Sequence, residues 1–444
     1  MKFNPLTRDA GQPETTTSRR QFLKTSSAVT LGSLAASSLV LPRGAFAANS
    51  DTLKIGLVGC GGRGTGAASQ ALNADANVVL TAVGDLFPEK CTGAISNLRR
   101  NEKIAERVKV TPDATFAGLD AYQKVIDSGV DVVLLATPPG FRPLHFVAAV
   151  NAGKHVFTEK PMATDAPGVR ATMAAAKLAQ ERGQAVVSGF CWRAEYGRRE
   201  FYQRVHDGDI GEVRAVHATY LTGPVKPMPP ASERPAGMGD VEWQLRNWYN
   251  FVWICGDGLV EQACHSVDKI AWAMKDAPPL RAVATGGRQI PNNEGNIFDH
   301  IDVFYEWEGG ARATMAQRQI SNCYSDNSDY VLGEKGFGTI KGWSAPIITG
   351  ATSWRYRGAK NDMYQTEHDE LFASIRSGKV INHGEWMCKS TLMALMGRMA
   401  AYTGQEVTWE DALNSQDKLV PDNLTWDTPL PIRPMAVPGQ TKLG

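Results

Sequence analysis

Residues 53–64 read LKIGLVGCGGRG, a short apolar run that leads directly into a glycine-rich loop. Gly59, Gly61 and Gly64 match the pattern G-x-G-x-x-G, and the Ala-rich segment after them has helical composition. In such a strand–loop–helix unit the glycines allow a tight turn, close approach of the backbone to a pyrophosphate, and contact between helix and strand. The unpaired N–H groups at the start of the helix favour negative charge. The stretch therefore predicts the phosphate-binding turn of a dinucleotide fold.

Asp85 stands at the distance from this loop that an NAD-binding fold requires. It follows a second apolar run, residues 78–83, and lies 21 residues after Gly64 (85 − 64). An acidic side chain about 20 residues beyond the loop accepts the ribose 2′-hydroxyl in these folds. A carboxylate there also repels the 2′-phosphate of NADP, which favours NAD. The alternative is an ordinary turn residue ahead of Pro88.

Strand-like and helix-like segments continue to alternate as far as residue 188. Residues 131–136 (DVVLLA) contain five consecutive apolar residues, which is typical of a strand buried on both faces of a parallel sheet. The other predicted elements are helices at 143–151 and 166–181 and strands at 155–158 and 185–188. The alternation predicts a doubly wound parallel sheet, in a domain that we place at residues 51–188. Thr137-Pro138 and Glu159-Lys160-Pro161 then lie at the carboxyl edge of the sheet, where ligands bind.

From about residue 53 to about residue 410 the chain resembles the Gfo/Idh/MocA family of oxidoreductases. The resemblance lies in VGCGGRG at 58–64, ATPP at 136–139, FTEKP at 157–161, DGDIGEVRAV at 207–216 and GDGLVEQACHSVD at 256–268. It implies an N-terminal Rossmann domain and a C-terminal α+β domain with an open, largely antiparallel sheet. We place the second domain at residues 189–410 and expect its sheet to join copies into a homo-oligomer. The resemblance also implies NAD(P)-dependent hydride transfer at a carbinol carbon of a sugar, glycoside or polyol.

The same resemblance implies roles for four residues. Lys160 corresponds to the motif lysine that points at the reacting centre, and His265 to the histidine of the proton-transfer set. Glu261 takes the acid position four residues before His265, where family members more often have Asp. Arg193 corresponds to an arginine that donates to a substrate hydroxyl. These positions predict Lys160, His265 and Glu261 as the catalytic residues.

The residue types themselves suit proton transfer. Glu261, His265 and Asp268 stand at i, i+4 and i+7, a spacing that predicts one face of a helix. A histidine with a carboxylate one turn away on either side is held in one tautomer and can act as a general base. Lys160 directly follows a strand of the cofactor sheet, where a cation stabilises a developing alkoxide. The alternatives are a structural histidine and a solvated loop lysine.

Two larger sets of binding residues follow from these motifs. The residues predicted to hold the cofactor are Gly59, Gly61, Gly62, Arg63, Gly64, Asp85, Thr137, Pro138, Glu159 and Lys160. The residues predicted to contact the substrate are Arg193, Trp248, Tyr249 and Asp268. The last set includes part of an aromatic cluster, Trp243, Trp248, Tyr249 and Trp253. Such a cluster either stacks on sugar rings or fills a core, and the sequence leaves both open.

The first 47 residues have the pattern of an export signal. SRRQFLK at 18–24 is followed by a modest apolar run at 26–41 and by Ala45-Phe46-Ala47. The paired arginines are the twin-arginine address, so we expect the export machinery as a partner and a periplasmic or extracellular location. A membrane anchor is the alternative, but the apolar run is short of the ~20 strongly apolar residues of a span. Because little free NAD is available outside the cytoplasm, we expect the cofactor to be tightly bound.

The remaining features exclude several classes of partner. Lys and Arg number 47 against 46 for Asp and Glu, so the chain has no large positive charge that would attract the phosphate backbone of a nucleic acid. Seven cysteines without a C-x-x-C pair argue against a metal site. The Pro-rich segment 411–444 is predicted to be an extended tail that wraps a neighbour or stays mobile.

Three functions remain open on this basis. The first is an NAD(P)-dependent carbohydrate oxidoreductase. The second is a redox-neutral glycoside hydrolase with tightly bound NAD, which oxidises C3, eliminates the aglycone, adds water and returns the hydride. The third is a sugar-binding protein without catalysis, for which both Lys160 and His265 would be unnecessary.

Overall fold

The computed structural model describes residues 51–442. Its first sheet has six strands in the order β3-β2-β1-β4-β5-β6, and every neighbouring pair is parallel. The strands are β1 (Leu53–Val58), β2 (Val78–Asp85), β3 (Thr115–Ala117), β4 (Val132–Leu135), β5 (His155–Thr158) and β6 (Val186–Ser188). The doubly wound parallel sheet predicted from the sequence is confirmed.

Five helices accompany this sheet. They are α1 (Gly62–Ala74), α2 (Pro88–Arg99), α3 (Ala121–Asp127), α4 (Arg142–Asn151) and α5 (Ala166–Glu181). All four residues of β4 are buried, as expected of a strand covered on both faces. Because the six strands are parallel, all of them end at the same edge of the sheet. The loops that follow β1, β2, β4 and β5 lie at this edge.

The second sheet has nine strands in the order β14-β13-β12-β11-β7-β10-β9-β8-β15. The strands are β7 (Val213–Thr222), β8 (Arg281–Gly287), β9 (His300–Glu306), β10 (Arg312–Gln319), β11 (Ser328–Gly333), β12 (Gly336–Lys341), β13 (Ile347–Gly350), β14 (Trp354–Arg355) and β15 (Val407–Thr408). β7 and β10 are parallel and the other neighbours are antiparallel. The expected open, largely antiparallel sheet is therefore present.

Helices cover one face of this sheet. The remaining α-helices are α6 (Tyr196–His206), α7 (Asp240–Arg246), α8 (Val252–Cys255), α9 (Gly258–Glu261), α10 (Cys264–Ala273), α11 (Met363–Ser377), α12 (Gly384–Thr403) and α13 (Trp409–Asn414). Short 3₁₀ turns lie at Ala105–Arg107, Pro112–Ala114, Cys191–Ala194, Ala231–Glu233, Trp248–Asn250 and Glu308–Gly310. In β9, Ile301, Val303 and Tyr305 face the helices and are buried, whereas Phe304 on the other face is 48% exposed.

The chain crosses back into the first domain after the second sheet. Leu371, Phe372 and Ile375 of α11 belong to the apolar core that also contains β1 and β2. Val186 of β6 forms an isolated parallel bridge with Asn382. Although the sequence places residues 189–410 in one second domain, α11 packs as part of the first.

Two local predictions need correction. Gly309-Gly310 between two strand-like segments predicts a two-residue hairpin turn. The hairpin forms between β9 and β10, but Arg312 pairs with Glu306, so the five residues 307–311 make the turn. The Pro-rich tail packs on its own chain instead of staying free, because Gln244 Nε2 donates to the Leu430 carbonyl at 2.7 Å. Within residues 51–442 no helix is long and apolar enough to cross a membrane. The predicted export signal at 1–47 lies outside the described residues.

Candidate active site

The glycine-rich loop between β1 and α1 forms a cradle. Gly59 has φ +94°, and a Cβ there would lie 2.6 Å from the Ala136 carbonyl carbon. A Cβ on Gly64 would lie 1.8 Å from the Gly59 oxygen. A Cβ on Gly61 or Gly62 would meet nothing within 4 Å, so the backbone there faces open space. These are the tight turn, the close packing and the room for a pyrophosphate that the motif requires, so the residues present fit NAD.

Asp85 lies beside this cradle at the end of β2. Its carboxylate accepts the Cys60 N–H at 2.7 Å and the Phe87 N–H at 3.1 Å. Burial raises the pKa of Asp85, although these backbone donors and Lys90 oppose the rise. The Cys60 bond attaches the carboxylate to the loop itself, which is where a ribose acceptor has to stand.

The loop after β4 contacts both domains. Thr137 Oγ1 lies 3.1 Å from His145 Nδ1, and Pro138 is half-buried next to it. Gly140 N–H donates to the Ile254 carbonyl of α8 at 2.8 Å. Arg142, which the sequence analysis did not single out, is buried and donates to the carbonyls of both Thr137 and Pro161. It therefore ties together the two loops at the carboxyl edge of the first sheet.

Arg63 and Glu159 form an ion pair at the edge of the cradle. Arg63 Nε lies 3.3 Å from Glu159 Oε1, and the guanidinium carbon is 4.8 Å from the ring centre of Tyr364 in α11. Glu159 is 6% exposed. Both residues lie beside the predicted cofactor position, where the pair fixes the direction of the Arg63 side chain.

Lys160, Glu261 and His265 converge at the same edge. Lys160 Nζ donates to the Glu261 carbonyl at 2.5 Å and lies 3.2 Å from Glu261 Oε1. The three residues are each less than 10% exposed. Among the described residues, neither Glu261 Oε2 nor His265 Nδ1 has a hydrogen-bond partner. A buried polar atom without a partner is costly, so these two atoms are where a bound molecule or water is expected.

Charge in this cluster is set by burial and by close neighbours. Burial opposes the charge of Lys160, but the Glu261 carboxylate, together with Glu159, Cys264 and Tyr220, outweighs it and raises the pKa of Lys160 above its ordinary value. Burial lowers the pKa of His265 well below its usual range, and the cations Lys160 and Lys269 lower it further. At neutral pH the site therefore holds an ammonium beside a neutral imidazole.

The predicted single helix face at residues 261–268 is wrong. α9 ends at Glu261 and α10 begins at Cys264, with Gln262 and Ala263 in a turn between them. Ala263 N–H bonds to the Gly258 carbonyl, five residues back, instead of continuing the α-helical pattern. The break gives Glu261 and Asp268 different neighbours.

Arg193 and Asp268 bind each other. Arg193 Nε and Nη2 lie 2.8–3.0 Å from the Asp268 carboxylate, and Nη1 lies 3.1 Å from Asp276. Ser390 Oγ also donates to Asp268 at 2.7 Å. Because these bonds occupy the groups that were predicted to contact the substrate, the structure gives Arg193 and Asp268 a part in anchoring α10 instead.

Most of the aromatic cluster fills a core. Trp243, Tyr249 and Trp253 are 2–5% exposed, and the Tyr249 hydroxyl accepts from Gln319 Nε2 at 2.8 Å. Trp248 is the member that reaches the surface, with Lys226 Nζ 4.9 Å from its ring centre. A stacking surface for sugars is therefore limited to Trp248 within this cluster.

Tyr220 and Gln317 are site residues that the sequence analysis missed. Tyr220 Oη donates to Gln262 Oε1 at 3.0 Å. Burial raises the pKa of Tyr220 to about 12. The positive charge of Lys160 opposes this rise, and the negative charge of Glu261 adds to it. Gln317 pairs with Tyr220 across β7 and β10, and its buried amide has no partner among the described residues. The alternating pattern of β7 could have placed Tyr220 inward, but the pairing with β10 is nonlocal.

Comparisons with known families agree with this geometry. Residues 53–190 match the model described as "Oxidoreductase family, NAD-binding Rossmann fold", and residues 199–338 match the "GFO/IDH/MocA C-terminal domain". The chain belongs to the Gfo/Idh/MocA oxidoreductase family. Its first domain is therefore an NAD-binding Rossmann domain, as the glycine cradle indicated.

Three similar proteins show the range of the family. Inositol 2-dehydrogenase of Rhizobium meliloti (strain 1021) is 23% identical over 73% of this chain and 86% of the relative. The structure of aldose-aldose oxidoreductase from Caulobacter crescentus with glycerol has a TM-score of 0.63 at 20% identity, over 80% of this chain and 99% of that one. WlbA dehydrogenase from Bordetella pertussis with NADH and UDP-GlcNAcA has a TM-score of 0.61 at 20% identity, over 81% and 98%. The two structures share the fold of this chain.

Proposed function

We propose that this protein is an NAD-dependent oxidoreductase that transfers a hydride between the nicotinamide and a carbinol carbon of a sugar, glycoside or polyol. The observation that carries the proposal is the convergence of Lys160, Glu261 and His265 beside the glycine cradle. When bound, NAD supplies the hydride acceptor. Gly59–Gly64 and Asp85 would hold it, and the Asp85 carboxylate favours NAD over NADP.

The chain's own residues supply the proton chemistry. His265 is neutral and its Nδ1 is unpartnered, so it can accept the proton of the substrate hydroxyl. The Lys160 ammonium stabilises the alkoxide that develops as this proton leaves. Glu261 holds the ammonium in place through two contacts. Because all three groups are buried, their electrostatic effect is greater than it would be in water.

The redox-neutral glycoside hydrolase is the second candidate, and one observation favours it. Oxidation at C3 acidifies the C2 proton, and a base must remove that proton while the aglycone departs with a proton of its own. Water then adds to the alkene, and the stored hydride returns to C3. The site has two groups beyond Lys160 and His265 for this extra acid–base work, the unpartnered Glu261 Oε2 and the Tyr220 hydroxyl. Tyr249 does not suit this role because its hydroxyl is buried against Gln319.

One experiment separates these functions. The folded protein is purified, its bound nicotinamide absorbance is recorded, and sugars, polyols and aryl glycosides are added in turn. Lasting reduction of the nucleotide by a free sugar or polyol supports the oxidoreductase. Release of aglycone without net reduction supports the hydrolase. A preparation that binds sugar but gives neither signal supports a sugar-binding protein and contradicts the first proposal.

We also propose that the protein is exported by the twin-arginine route to the periplasm or the extracellular space. The support is the SRRQFLK segment and the Ala45-Phe46-Ala47 end that follows it. The double change Arg19→Lys and Arg20→Lys is expected to leave the precursor in the cytoplasm, as measured by cell fractionation. Export at the wild-type level by a strain without this machinery would contradict the route.

A homo-oligomer is proposed from the uncovered face of the second sheet. Val283 pairs with Phe304 and Leu332 pairs with Phe337 on that face, and these four side chains are 43–52% exposed. Exposed apolar patches of this kind mark interaction surfaces. Phe304→Glu with Leu332→Glu is expected to lower the mass measured by light scattering to that of one chain. Tyr324→Glu, on the loop between β10 and β11, is the control and is expected to leave the mass unchanged.

A further inference from the structure

The turn that carries Asp85 is held by the second domain. Phe87, two residues further on, lies with its ring under the Arg246 guanidinium of α7, 4.0 Å from the ring centre. Arg246 Nη1 also lies 3.2 Å from Glu89 Oε1 in the first turn of α2. The ring of Trp426, in the C-terminal segment, is 5.9 Å from that of Phe87. Two separate parts of the chain therefore close on the same aromatic ring.

The segment that carries Trp426 is fixed on both sides. Before it, Leu419 N–H donates to Asp165 Oδ2 at the start of α5 at 2.8 Å. After it, the Leu430 carbonyl accepts from Gln244 and the Arg433 carbonyl accepts from Asn296 Nδ2 at 2.9 Å. Trp426 is thus held against Phe87 by a segment bonded to both domains.

These contacts are one bridge between the domains beside the predicted cofactor position, and the contact of Lys160 with Glu261 is another. The glycine cradle and Asp85 lie in the first domain beside these contacts. Asp85 is bonded to Cys60 of the cradle and to Phe87, the residue that Arg246 and Trp426 contact. A dinucleotide whose pyrophosphate rests on the cradle would lie between these two contacts.

We propose that Phe87, Arg246 and Trp426 form a latch that retains the dinucleotide from one catalytic cycle to the next. The inference rests on the proposed cofactor site and deepens it. The three act as positioning residues, because they work through the turn that carries Asp85 and not through the reacting atoms. A retained nucleotide must be oxidised and reduced in the same site. The substrate that delivers the hydride and the acceptor that removes it therefore bind in succession, or a single substrate does both.

The test measures how fast the bound nucleotide leaves. The full-length mature protein is loaded with NADH, excess NAD is added, and the loss of protein-bound NADH fluorescence is followed. Arg246→Ala and Trp426→Ala are compared with the conservative Arg246→Lys and Trp426→Phe. Arg214→Ala is the matched control, because it removes an exposed ion pair with Glu334 on the second sheet, away from the turn.

The latch predicts faster release with unchanged folding. Arg246→Ala is expected to release NADH roughly threefold to thirtyfold faster, the range that a cation–π contact is worth. Trp426→Ala is expected to release it roughly twofold to tenfold faster, the range of an aromatic pair. The lysine and phenylalanine variants are expected to recover most of the wild-type rate, and Arg214→Ala is expected to match it. Melting temperatures without nucleotide serve as the second readout and are expected to stay close together.

Three outcomes overturn the proposal, and they differ in what else they affect. Equal release rates in all variants, with NADH bound, would remove the latch and leave the proposed function standing. A well-folded wild-type protein that never binds NADH would remove both. If NADH release is faster only in variants whose melting temperature without nucleotide has fallen by a matching amount, the three residues contribute only ordinary packing between the domains.

Discussion

Two buried ionic clusters meet along residues 261–268, and they differ in how well their polar atoms are satisfied. In one, Arg193 binds Asp268 and Asp276, and Ser390 completes the set. In the other, Lys160 binds Glu261, but Glu261 Oε2 and His265 Nδ1 are left without partners among the described residues. Both clusters contain a cation and a carboxylate. We propose on this difference that the first cluster stabilises the fold and the second takes part in the reaction.

The largest expected effect separates the clusters by activity. His265→Ala removes an imidazole that makes no Nδ1 hydrogen bond to the protein, and it is expected to lower kcat by roughly 10²–10⁴-fold, the contribution of a general base. His383→Ala is the matched control, since its buried Nδ1 accepts from Ser188 N–H at 3.2 Å in a structural role. The measurement is the rate of nicotinamide reduction with nucleotide occupancy determined separately. Equal losses in both variants would erase the distinction.

The converse experiment uses the satisfied cluster. Arg193→Ala leaves Asp268 buried and uncompensated, and is expected to lower the free energy of unfolding by about 3–5 kcal/mol. Activity per folded molecule should change little, because the Arg193 guanidinium is already bonded to Asp268 and Asp276. Denaturant unfolding measures the free energy of unfolding, and active-site titration gives the number of folded molecules by which the activity is divided. A stable variant with abolished activity would restore Arg193 as a substrate contact.

Lowering the pH is expected to reduce the stability of the protein before it reduces the activity, because several histidines are buried in their neutral form. Burial lowers the pKa of His145 and His383 to about 3 and of His155 to about 4, and that of His265 is also low. In the unfolded chain each histidine binds a proton near the ordinary histidine pKa of about 6.5. In the folded chain these buried histidines stay neutral until the pH is much lower. Stability is therefore full above about 6.5 and falls as the pH drops toward the folded pKa values, by up to about 1.4 kcal/mol per unit for each histidine.

Activity is expected to persist into this acidic range, because His265 stays neutral below its ordinary pKa. Unfolding free energies and kcat measured from neutral pH downward check the two trends. A loss of kcat at the pH where a free histidine titrates, with the fold intact, would contradict the assignment of a buried neutral base.

The smallest effect tests how Glu261 serves Lys160. Glu261→Gln removes the charge that raises the pKa of Lys160, so the ammonium is expected to lose its proton at lower pH. We expect a loss of about tenfold in kcat that grows toward alkaline pH, since one pKa unit corresponds to a tenfold change. Glu261→Asp, the residue more usual in the family, should recover most of the activity at neutral pH. An alkaline limb that does not move in Glu261→Gln would contradict this role.

Local pattern was enough to predict the first domain. The strand at His155–Thr158 and the helix at Ala166–Glu181 have the predicted bounds, because buried parallel strands and Gly-terminated helices leave their signals in adjacent residues. The same holds for Lys160, which directly follows a strand. Sequence spacing failed at Gln262 and Ala263, where a break separates Glu261 from the helix that carries His265 and Asp268.

Long-range pairing explains the other differences. Arg193 and Asp268 are 75 residues apart, so nothing local indicates that each satisfies the other. Tyr220 and Gln317 come together only because β7 and β10 are parallel neighbours, which no turn signal specifies. The tail is fixed by contacts of Leu430 with a helix 186 residues earlier, although its composition alone suggested an extended segment.

Single-turnover reduction of the bound nucleotide tests the central claim most directly. Wild-type protein and the His265→Ala and Arg193→Ala variants are brought to equal NAD occupancy and mixed with a panel of polyols and sugars. The account predicts fast reduction in the wild type, similar reduction in folded Arg193→Ala, and a rate lower by about a hundredfold or more in His265→Ala. Reduction at the wild-type rate in His265→Ala would contradict it.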